Sequence, residues 1–590
     1  MKYFYIFSLL FFLSVSIWMN VNQSIGIDIQ LIISFFPEIF SFFFLCVFLF
    51  LIENRVFRNI IILIIILFFG SIYTLQVINL EMIGDYVNLV TLNNANQIDV
   101  ILSKTLITKI VIISSGFLIL YLSLVKITSI NKKKVYVHLG LLFCFFLISN
   151  IFNSYIKNNH QFLPITNFIK VAKMYIVTKD TYIKNLTNND LKVAKKFNIT
   201  INNKLTFEKD YIYKTQLPFQ RKTLEKPNVI IFFVESLSAR LLGAYKNDMK
   251  NVTPNINKFA NNAMVVQGYY NHSTPTAPGL YGQNCSIYPL LTYNDMDKTP
   301  NILKDINLKC MASYASIENY DTIYFSHSRG HYTHFDQNFK LWGYNEVVMW
   351  RNFTKKFLDT DNLILGEAGP SDHQMMKGLV NFLKRRDSRN NFFLGLSTIE
   401  SHVGRSTNPI DGIKYMNGES ETLNLVHNLD DAFGIFWKYF KNSKYYNNTI
   451  VILTGDHALY PSLDFKKVAG KDWIASVYDN LSLIIYDPIH ILPKKYNVNA
   501  TSIDLAPTVL QLLNIKANNA NSFLGNSIFD EKLNNTAFGI SGYQDFNIYI
   551  NNDFNKTNKK PINIEDKDIK STYESLFKIL KYSKYLRMKE

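Results

Sequence analysis

Apolar residues are not spread evenly along this chain. They concentrate near its N-terminus in five stretches, 3–22, 30–52, 58–79, 108–126 and 135–153. Each is close to the ~20 residues a helix needs to cross a hydrocarbon layer of about 30 Å, so the pattern predicts five spans. An odd number of spans puts the two ends of the chain on opposite sides of a bilayer. A cleavable signal peptide is the alternative for the first stretch, but no small-residue cleavage site follows it and four more apolar runs do.

Lys and Arg favour the cytoplasmic side of short loops. Lys2 precedes the first stretch, Arg55 and Arg58 follow the second, and Lys126, Lys132, Lys133 and Lys134 follow the fourth. The alternate loops carry little beyond Asp28, Glu81, Asp85, Asp99 and Lys104. The N-terminus is therefore expected in the cytoplasm, and everything after residue 153 outside the membrane. A transporter is disfavoured, because no span has an interior Arg, Lys or Asp, only Glu38 beside Pro37.

Residues 154–226 are rich in Asn and Lys without a long apolar run and read as a connector. Within them Phe168, Ile169, Ala172, Tyr175 and Ile176 recur at helical spacing between Lys170, Lys173 and Lys179. That pattern suits a helix lying in the membrane interface, or a surface helix packed on the soluble domain.

From Pro227 onward short apolar runs alternate with helical patterns, which predicts an α/β domain with a largely parallel sheet over 227–535 and an extension over 536–590. The expected strands are Asn228 to Val234, Thr322 to Ser326, Phe392 to Thr398, Thr449 to Thr454 and Leu481 to Tyr486. Ligands of such sheets bind at the carboxyl ends of strands. There the sequence places Glu235, then Glu400 and His402, then Asp456 and His457. An oxygen-rich set with one nitrogen suits Zn²⁺ or Mn²⁺.

Of 590 residues 48% are hydrophobic and 18% charged, which excludes a disordered chain. The net charge of +16 is uneven, with +3 in residues 1–155 and +13 in the rest. For an exported domain tied to a bilayer, such a charge points to anionic lipid head groups and not to nucleic acid. The even scatter of Lys and Asn also fits an AT-rich coding sequence.

Four segments of this domain resemble the alkaline phosphatase/sulfatase superfamily, and the whole chain resembles its membrane branch of lipoteichoic acid synthases and phosphoethanolamine transferases. They are 228–245, ending its strand in Glu235; 253–290, which includes HSTPTAPGLYGQNCSIYPL; 454–460, TGDHALY; and 502–529, with SIDLAPTVLQLLNI and SFLGNSIF. The resemblance implies a five-helix transmembrane domain (1–153) carrying an exported α/β sulfatase-like domain. It also implies a multi-pass protein of the bacterial cytoplasmic membrane whose catalytic domain is extracytoplasmic.

Sulfatases need a Cys or Ser at the head of a Cys/Ser-x-Pro-x-Arg pattern, for conversion to formylglycine. Here the segment reads Thr276, Ala277, Pro278, Gly279, Leu280, so Thr276 stands at the nucleophile position and Leu280 replaces the Arg. Counting back from Ser286 also reaches Thr276, where lipoteichoic acid synthases carry a nucleophilic Thr. Ser273 and Thr274 are nearby competitors. The resemblance implies metal ligation by Glu235, Thr276, Asp456 and His457, catalysis by Thr276 and His402, and contact of His402 with the substrate phosphate. Glu400 is a candidate for orienting His402 or the metal ligands. Asp504 is read as a helix cap.

The implied reaction is transfer of phosphoglycerol or phosphoethanolamine from a membrane phospholipid to an envelope glycan or lipid. Hydrolysis by the same residues is the alternative. Lipoteichoic acid synthases carry a Trp-x-Arg before an Asp in the loop that holds glycerol phosphate. The corresponding stretch here, 326–344, has Thr333 and Phe335 before Asp336, and offers His327, Arg329, His331 and His334 instead. Loss of that Arg argues for a single transfer over polymer growth, with His327 and Arg329 as candidate head-group contacts. Cys46 and Cys144 fall within spans, whereas Cys285 and Cys310 are exported. An oxidising compartment permits a Cys285–Cys310 disulfide that would pin the nucleophile segment to the following helix.

Overall fold

The computed structural model describes residues 2–23, 35–83, 86–87, 104–127, 131–155, 164–178, 186–196, 200–201, 207–211, 217–223, 225–287, 309–327, 334–358, 365–366, 369–387, 389–402, 415, 420–470, 479–520, 523, 525–530, 537–541, 547–551, 575 and 578. The chain forms two compact units: Met1–Lys179, and Asp180–Tyr460 together with Asp464–Glu590.

The first unit is helical: α1 (Lys2–Gln23), α2 (Phe36–Phe48), α3 (Arg55–Ile83), α4 (Lys104–Val125), α5 (Lys132–Tyr155) and α6 (Pro164–Thr178). Among the described residues three helices, within α3, α4 and α5, are long and apolar enough to cross a membrane, and Phe4–Met19 and Phe36–Leu51 are shorter apolar helices. Of the five expected spans, three are therefore matched by helices long and apolar enough to cross a membrane, and two fall on shorter apolar helices that do not reach that length. The second apolar stretch shows why: α2 opens with Pro37 in its first turn and tightens into a 3₁₀ turn at Leu49–Leu51. Thirteen α-helical residues and one 3₁₀ turn rise only about 25 Å.

Aromatic rings fill the middle of this unit. Phe12 packs edge-on against Phe42, Tyr73 and Phe117 at 5.1, 5.5 and 5.9 Å between centroids. Outward, Leu10, Ile64, Ile112 and Val137 are 59–62% exposed. A unit that is apolar inside and out needs a hydrocarbon solvent, and it is read as a membrane anchor. At one end Lys132 pairs with Glu53 at 2.7 Å and Arg58 reaches the Ile127 carbonyl at 3.4 Å, so the loops entering α3 and α5 lie together.

A second polar layer sits where α2 begins and α3 nears its end. The Glu38 carboxylate accepts from the backbone N–H groups of Ile165 (3.0 Å) and Thr166 (2.9 Å), from the Thr166 hydroxyl (3.1 Å) and from the Tyr73 hydroxyl (3.3 Å). The first amides of a helix have no intrahelical acceptor, and a carboxylate there also meets the positive end of the helix dipole. Gln76 extends the layer by donating to the Pro164 carbonyl at 2.7 Å. The one acidic residue within the predicted spans is thus a clamp on α6, whose Ile165 and Val171 are buried and whose Ile169 is 55% exposed.

The second unit is built on an eight-stranded sheet of β1 (Asn228–Val234), β2 (Met264–Tyr270), β3 (Asp321–Ser326), β4 (Glu346–Met349), β5 (Phe392–Ser397), β6 (Thr449–Gly455), β7 (Leu483–Tyr486) and β8 (Lys495–Thr501). Their order across the sheet is β8-β2-β7-β6-β1-β5-β3-β4, with β7 alone running antiparallel to its neighbours. The central strands are continuously apolar because both faces are covered. In β1, Val229, Ile231 and Phe233 enter one core with α7 (Thr276–Cys285), α8 (Met311–Ile317) and α11 (Leu505–Leu512). Ile230, Phe232 and Val234 enter the opposite core with α9 (Asp372–Arg385) and α10 (Glu421–Phe440). Each such side chain contributes about 1.5–3 kcal/mol on burial.

Two expectations are corrected. The run from Leu481 is the antiparallel strand of an otherwise parallel sheet and begins at Leu483. Asp504 stands at the N-cap position of α11 without a side-chain bond to that helix; its carboxylate instead closes a capping box on the preceding 3₁₀ turn, Ser502–Asp504, by accepting from the Thr501 N–H (2.9 Å), and it also accepts from the Asn526 N–H (2.7 Å), tying β8 to the 525–530 segment.

Candidate active site

The two central strands end side by side. Gly455 of β6 pairs with Val234 of β1 in parallel register, and the Asp456 N–H donates to the Val234 carbonyl at 2.8 Å. That register places Glu235 and Asp456, the next residue on each strand, at the same sheet edge. On the other side of β1 the Glu235 N–H donates to the Thr398 hydroxyl at 3.1 Å, and the Ser401 hydroxyl donates to the Glu235 carbonyl. Ser236 then takes the left-handed conformation, φ 49°, which few non-glycine residues adopt. The turn aims its N–H at Asp456 Oδ1 (2.8 Å), and its hydroxyl donates to Glu235 Oε1 (2.7 Å).

Glu235, Asp456 and His457 offer three ligand atoms within 4.8 Å of one another, and all three residues are buried. Burial raises the Asp456 carboxyl well above the usual carboxylate range, and the Glu235 charge adds to the effect. Burial alone would raise Glu235, yet the His457 bond and the nearby His402 hold it below its ordinary value. His457 is raised because Asp456 and Glu235 outweigh the effect of burial. Two buried carboxylates side by side need positive charge, and a divalent cation matches their combined charge. His457 Nδ1 lies 2.7 Å from the Ala458 carbonyl, so with the proton at Nδ1 its Nε2 presents a lone pair to the carboxylates. That arrangement is typical of a metal-ligating imidazole. The residues therefore fit a divalent cation.

The raised groups fix the sign of a pH effect. A cation must displace protons from Asp456 and His457, so its affinity rises with pH until both are deprotonated. Titration of the metal-free protein with Zn²⁺ or Mn²⁺ between about pH 6 and pH 8 is expected to show a gain of about tenfold per pH unit for each proton displaced. A flat profile would contradict this protonation assignment.

Thr276 is the first residue of α7, and its hydroxyl lies 3.1 Å from Glu235 Oε2 and 3.5 Å from His457 Nε2. The Ser273 hydroxyl turns instead to the Thr274 carbonyl, at 3.4 Å. Thr276 is partly exposed while Ser273 and Thr274 are each 4% exposed, so the hydroxyl beside the cluster is also the accessible one. His402 is partly exposed and close enough for its charge to lower the Glu235 pKa.

Glu400 does not face the cluster in the same way. Its Oε2 accepts from the Asp372 N–H at the start of α9 (2.8 Å) and from the Asn428 amide (3.0 Å). Asp372 answers by accepting from the N–H groups of Ile399 (3.1 Å) and Glu400 (3.3 Å), which fixes the loop that carries His402. His327 is buried with Nε2 on the Pro370 carbonyl, so it braces the end of β3 against the Gly369–Pro370 turn. Phe335, at the position where the resemblance places a phosphate-binding Arg, is 5% exposed and stacks on Phe339 as a core residue. Arg329, His331 and Thr333 lie outside the described residues. Cys285 and Cys310 form a disulfide that joins the end of α7 to the start of α8.

Sequence reading missed three residues of this site. Ser236 carried no signal beyond following Glu235. His272 is wholly buried, with Nδ1 2.6 Å from the Ser502 hydroxyl and Nε2 3.2 Å from the Pro278 carbonyl, and burial pushes its pKa down to about 3. Gln283 donates to the carbonyls of Gly455 (2.9 Å) and Asp456 (2.8 Å). Its spacing of seven from Thr276 was a usable helical signal.

Residues 227–515 match the family model described as Sulfatase. Lipoteichoic acid synthase 2 of Bacillus subtilis (strain 168) is 25% identical over 321 residues, covering 49% of this chain and 45% of that protein, so the match spans less than half of the relative's length. The lipoteichoic acid synthase LtaP from Listeria monocytogenes aligns with a TM-score of 0.48 at 18% identity, over 67% of this chain and 98% of that one. A protein in the alkaline phosphatase superfamily from Vibrio parahaemolyticus aligns with a TM-score of 0.49 at 19% identity, over 69% and 98%. Strand-end carboxylates, a Gly-Asp-His loop, a helix-borne hydroxyl and the family match coincide in one stretch of sequence: residues 227–515 carry a domain that matches the Sulfatase family model, on a chain with an apolar helical anchor.

Proposed function

We propose that this protein is a metal-dependent transferase that moves a substituted phosphoryl group, phosphoglycerol or phosphoethanolamine, from a membrane phospholipid to an envelope glycan or lipid through a phosphothreonine at Thr276. The observation that carries this reading is the Thr276 hydroxyl, 3.1 Å from Glu235 and 3.5 Å from His457 at the first turn of α7. Threonine is a weak nucleophile until a base or a cation activates it. A divalent cation held by Glu235, Asp456 and His457 would supply the positive charge that makes this hydroxyl acidic and that transferring phosphoryl oxygens require.

Thr276 attacks the phosphorus in line with the glycerol oxygen of the donor. The Thr276 proton passes to Glu235 Oε2, a Thr276 Oγ1–P bond forms, the P–O bond to diacylglycerol breaks, and the leaving alkoxide takes a proton from His402. Glu235, already the acceptor of the Thr276 hydroxyl, orients the nucleophile. In the second half an acceptor hydroxyl gives its proton to His402 and attacks the phosphothreonine, the Oγ1–P bond breaks, and the departing Thr276 oxygen recovers its proton from Glu235. Water in place of the acceptor gives a hydrolase, the second reading. The apolar anchor favours transfer, because it keeps the domain beside a lipid donor. The similarity to a lipoteichoic acid synthase supports the donor class. Phe335 in the core, at the position of the Arg of lipoteichoic acid synthases, supports a single transfer.

Incubating the membrane-embedded protein with labelled phosphatidylglycerol and phosphatidylethanolamine tests this. Mass spectrometry is expected to find one head-group phosphate on Thr276, released when acceptor is added. Long glycerol-phosphate polymers would show a polymerase, and release to water alone would show the hydrolase.

A further inference from the structure

The mechanism leaves Gln283 without a role, although it is fully buried and placed at the back of the site. In a helix, residues three and seven positions after Thr276 fall on nearly the same face; these are Gly279 and Gln283. That face of α7 lies along the metal-binding loop at three levels. The Thr276 hydroxyl is 3.5 Å from His457 Nε2. At Gly279 a Cβ would come within 2.4 Å of the Asp456 carbonyl oxygen, so only glycine lets the two backbones meet. The Gln283 amide nitrogen donates to two consecutive carbonyls, Gly455 and Asp456.

Gln283 is also an expensive choice. Among the described residues its Oε1 is buried without a hydrogen-bond partner, and an orphaned buried acceptor is destabilising. A methionine would fill the space without that penalty. The carbonyls it binds belong to the residue before the first metal ligand of the loop and to that ligand itself.

We infer that Gln283 is a positioning residue that, with Gly279, locks α7 to the 455–457 loop and so sets the distance between the Thr276 hydroxyl and the cation site. This rests on the reading that Thr276 is both nucleophile and metal ligand. Its action is mechanical: the two side-chain donations and the close backbone contact let helix and loop move only as one body. A shift of about 1 Å in a reacting group is enough to cost about a hundredfold in rate.

The test compares Gln283→Met, Thr276→Ala and the double variant in the full-length protein, using folding, Zn²⁺ affinity by titration and transfer kinetics. Gln283→Met is expected to fold and to lower kcat by about ten- to a hundredfold with KM within about twofold. It should weaken Zn²⁺ binding in the Thr276 background, by detaching the hydroxyl ligand, and have no further effect on Zn²⁺ in the Thr276→Ala background. Gly279→Ala should give the same kinetic lesion from the other side of the contact. Equal loss of Zn²⁺ affinity in both backgrounds would show that Gln283 merely shapes the loop, and unchanged kcat in Gln283→Met would also overturn the inference. An active Thr276→Ala would instead sink the nucleophile assignment itself, so the two failures are distinguishable.

Discussion

Thr276→Ala is expected to lower head-group transfer by about three orders of magnitude or more, with the protein still inserted in the membrane. Among the described residues the substitution removes the one hydroxyl that is both accessible and within 3.1 Å of Glu235. No neighbour stands ready to replace it: Ser273 is turned to a backbone carbonyl and is 4% exposed. Ser236 is nearer to Glu235, at 2.7 Å, but is 2% exposed and already donates to the other oxygen of that carboxylate. Losing a partly exposed hydroxyl and methyl costs stability by about 1 kcal/mol at most, so a folded, inactive protein is the predicted outcome. Transfer from labelled phospholipid in proteoliposomes measures it. Retention of more than about a few per cent of activity would remove Thr276 from the nucleophile role.

That assignment was within reach of the sequence because its signals are local. A strand buried on both faces reads as an uninterrupted apolar run, and the polar residue that ends the run must lie at the sheet edge. Asn228 to Val234 followed by Glu235, and Thr449 to Gly455 followed by Asp456, are both of this kind. Three strands of the same sheet gave no such run. Met264–Tyr270 is broken by Gln267 and Gly268, Lys495–Thr501 is a polar edge strand, and Glu346–Met349 has only four residues. Direction was equally illegible for Leu483–Tyr486, since a strand buried on both faces has the same composition whether it runs parallel or antiparallel.

The residues that hold the site together were harder still, because their partners are far away in sequence. Gln283 acts on carbonyls 172 and 173 residues away, and His272 on a hydroxyl 230 residues away. Backbone carbonyls leave no trace in a sequence. Glu400, a candidate for orienting His402 or the metal ligands, likewise acts through a partner that its own segment does not reveal: it accepts from the Asp372 N–H, 28 residues away, and Asp372 in turn holds the loop that carries His402. In the membrane unit, Glu38 looked like the only charge of a possible transport path. Its four acceptor contacts are instead those of a carboxylate closing the start of α6, which only the fold brings beside α2.

Asp456→Asn is the sharper test of the cation, because it changes charge with little change of shape. In the structure Asp456 Oδ1 accepts from the N–H groups of Ser236 (2.8 Å) and His457 (2.7 Å), and the amide oxygen of asparagine can accept both. The turn after β1 and the start of the Gly-Asp-His loop should therefore survive. What is lost is one of two buried negative charges, so the donor set no longer balances a divalent cation. Affinity for Zn²⁺ or Mn²⁺ is expected to fall at least about a hundredfold and transfer to background. The parent protein should lose activity on exhaustive chelation and recover it with either ion. Binding to the folded state alone also raises stability, by about 2.7 kcal/mol at a hundred times Kd. Added cation should accordingly raise the unfolding temperature of the parent and leave that of Asp456→Asn unmoved. This second readout does not depend on knowing the substrate. Full activity after chelation, together with an unfolding temperature indifferent to cation in the parent, would take the metal out of the account.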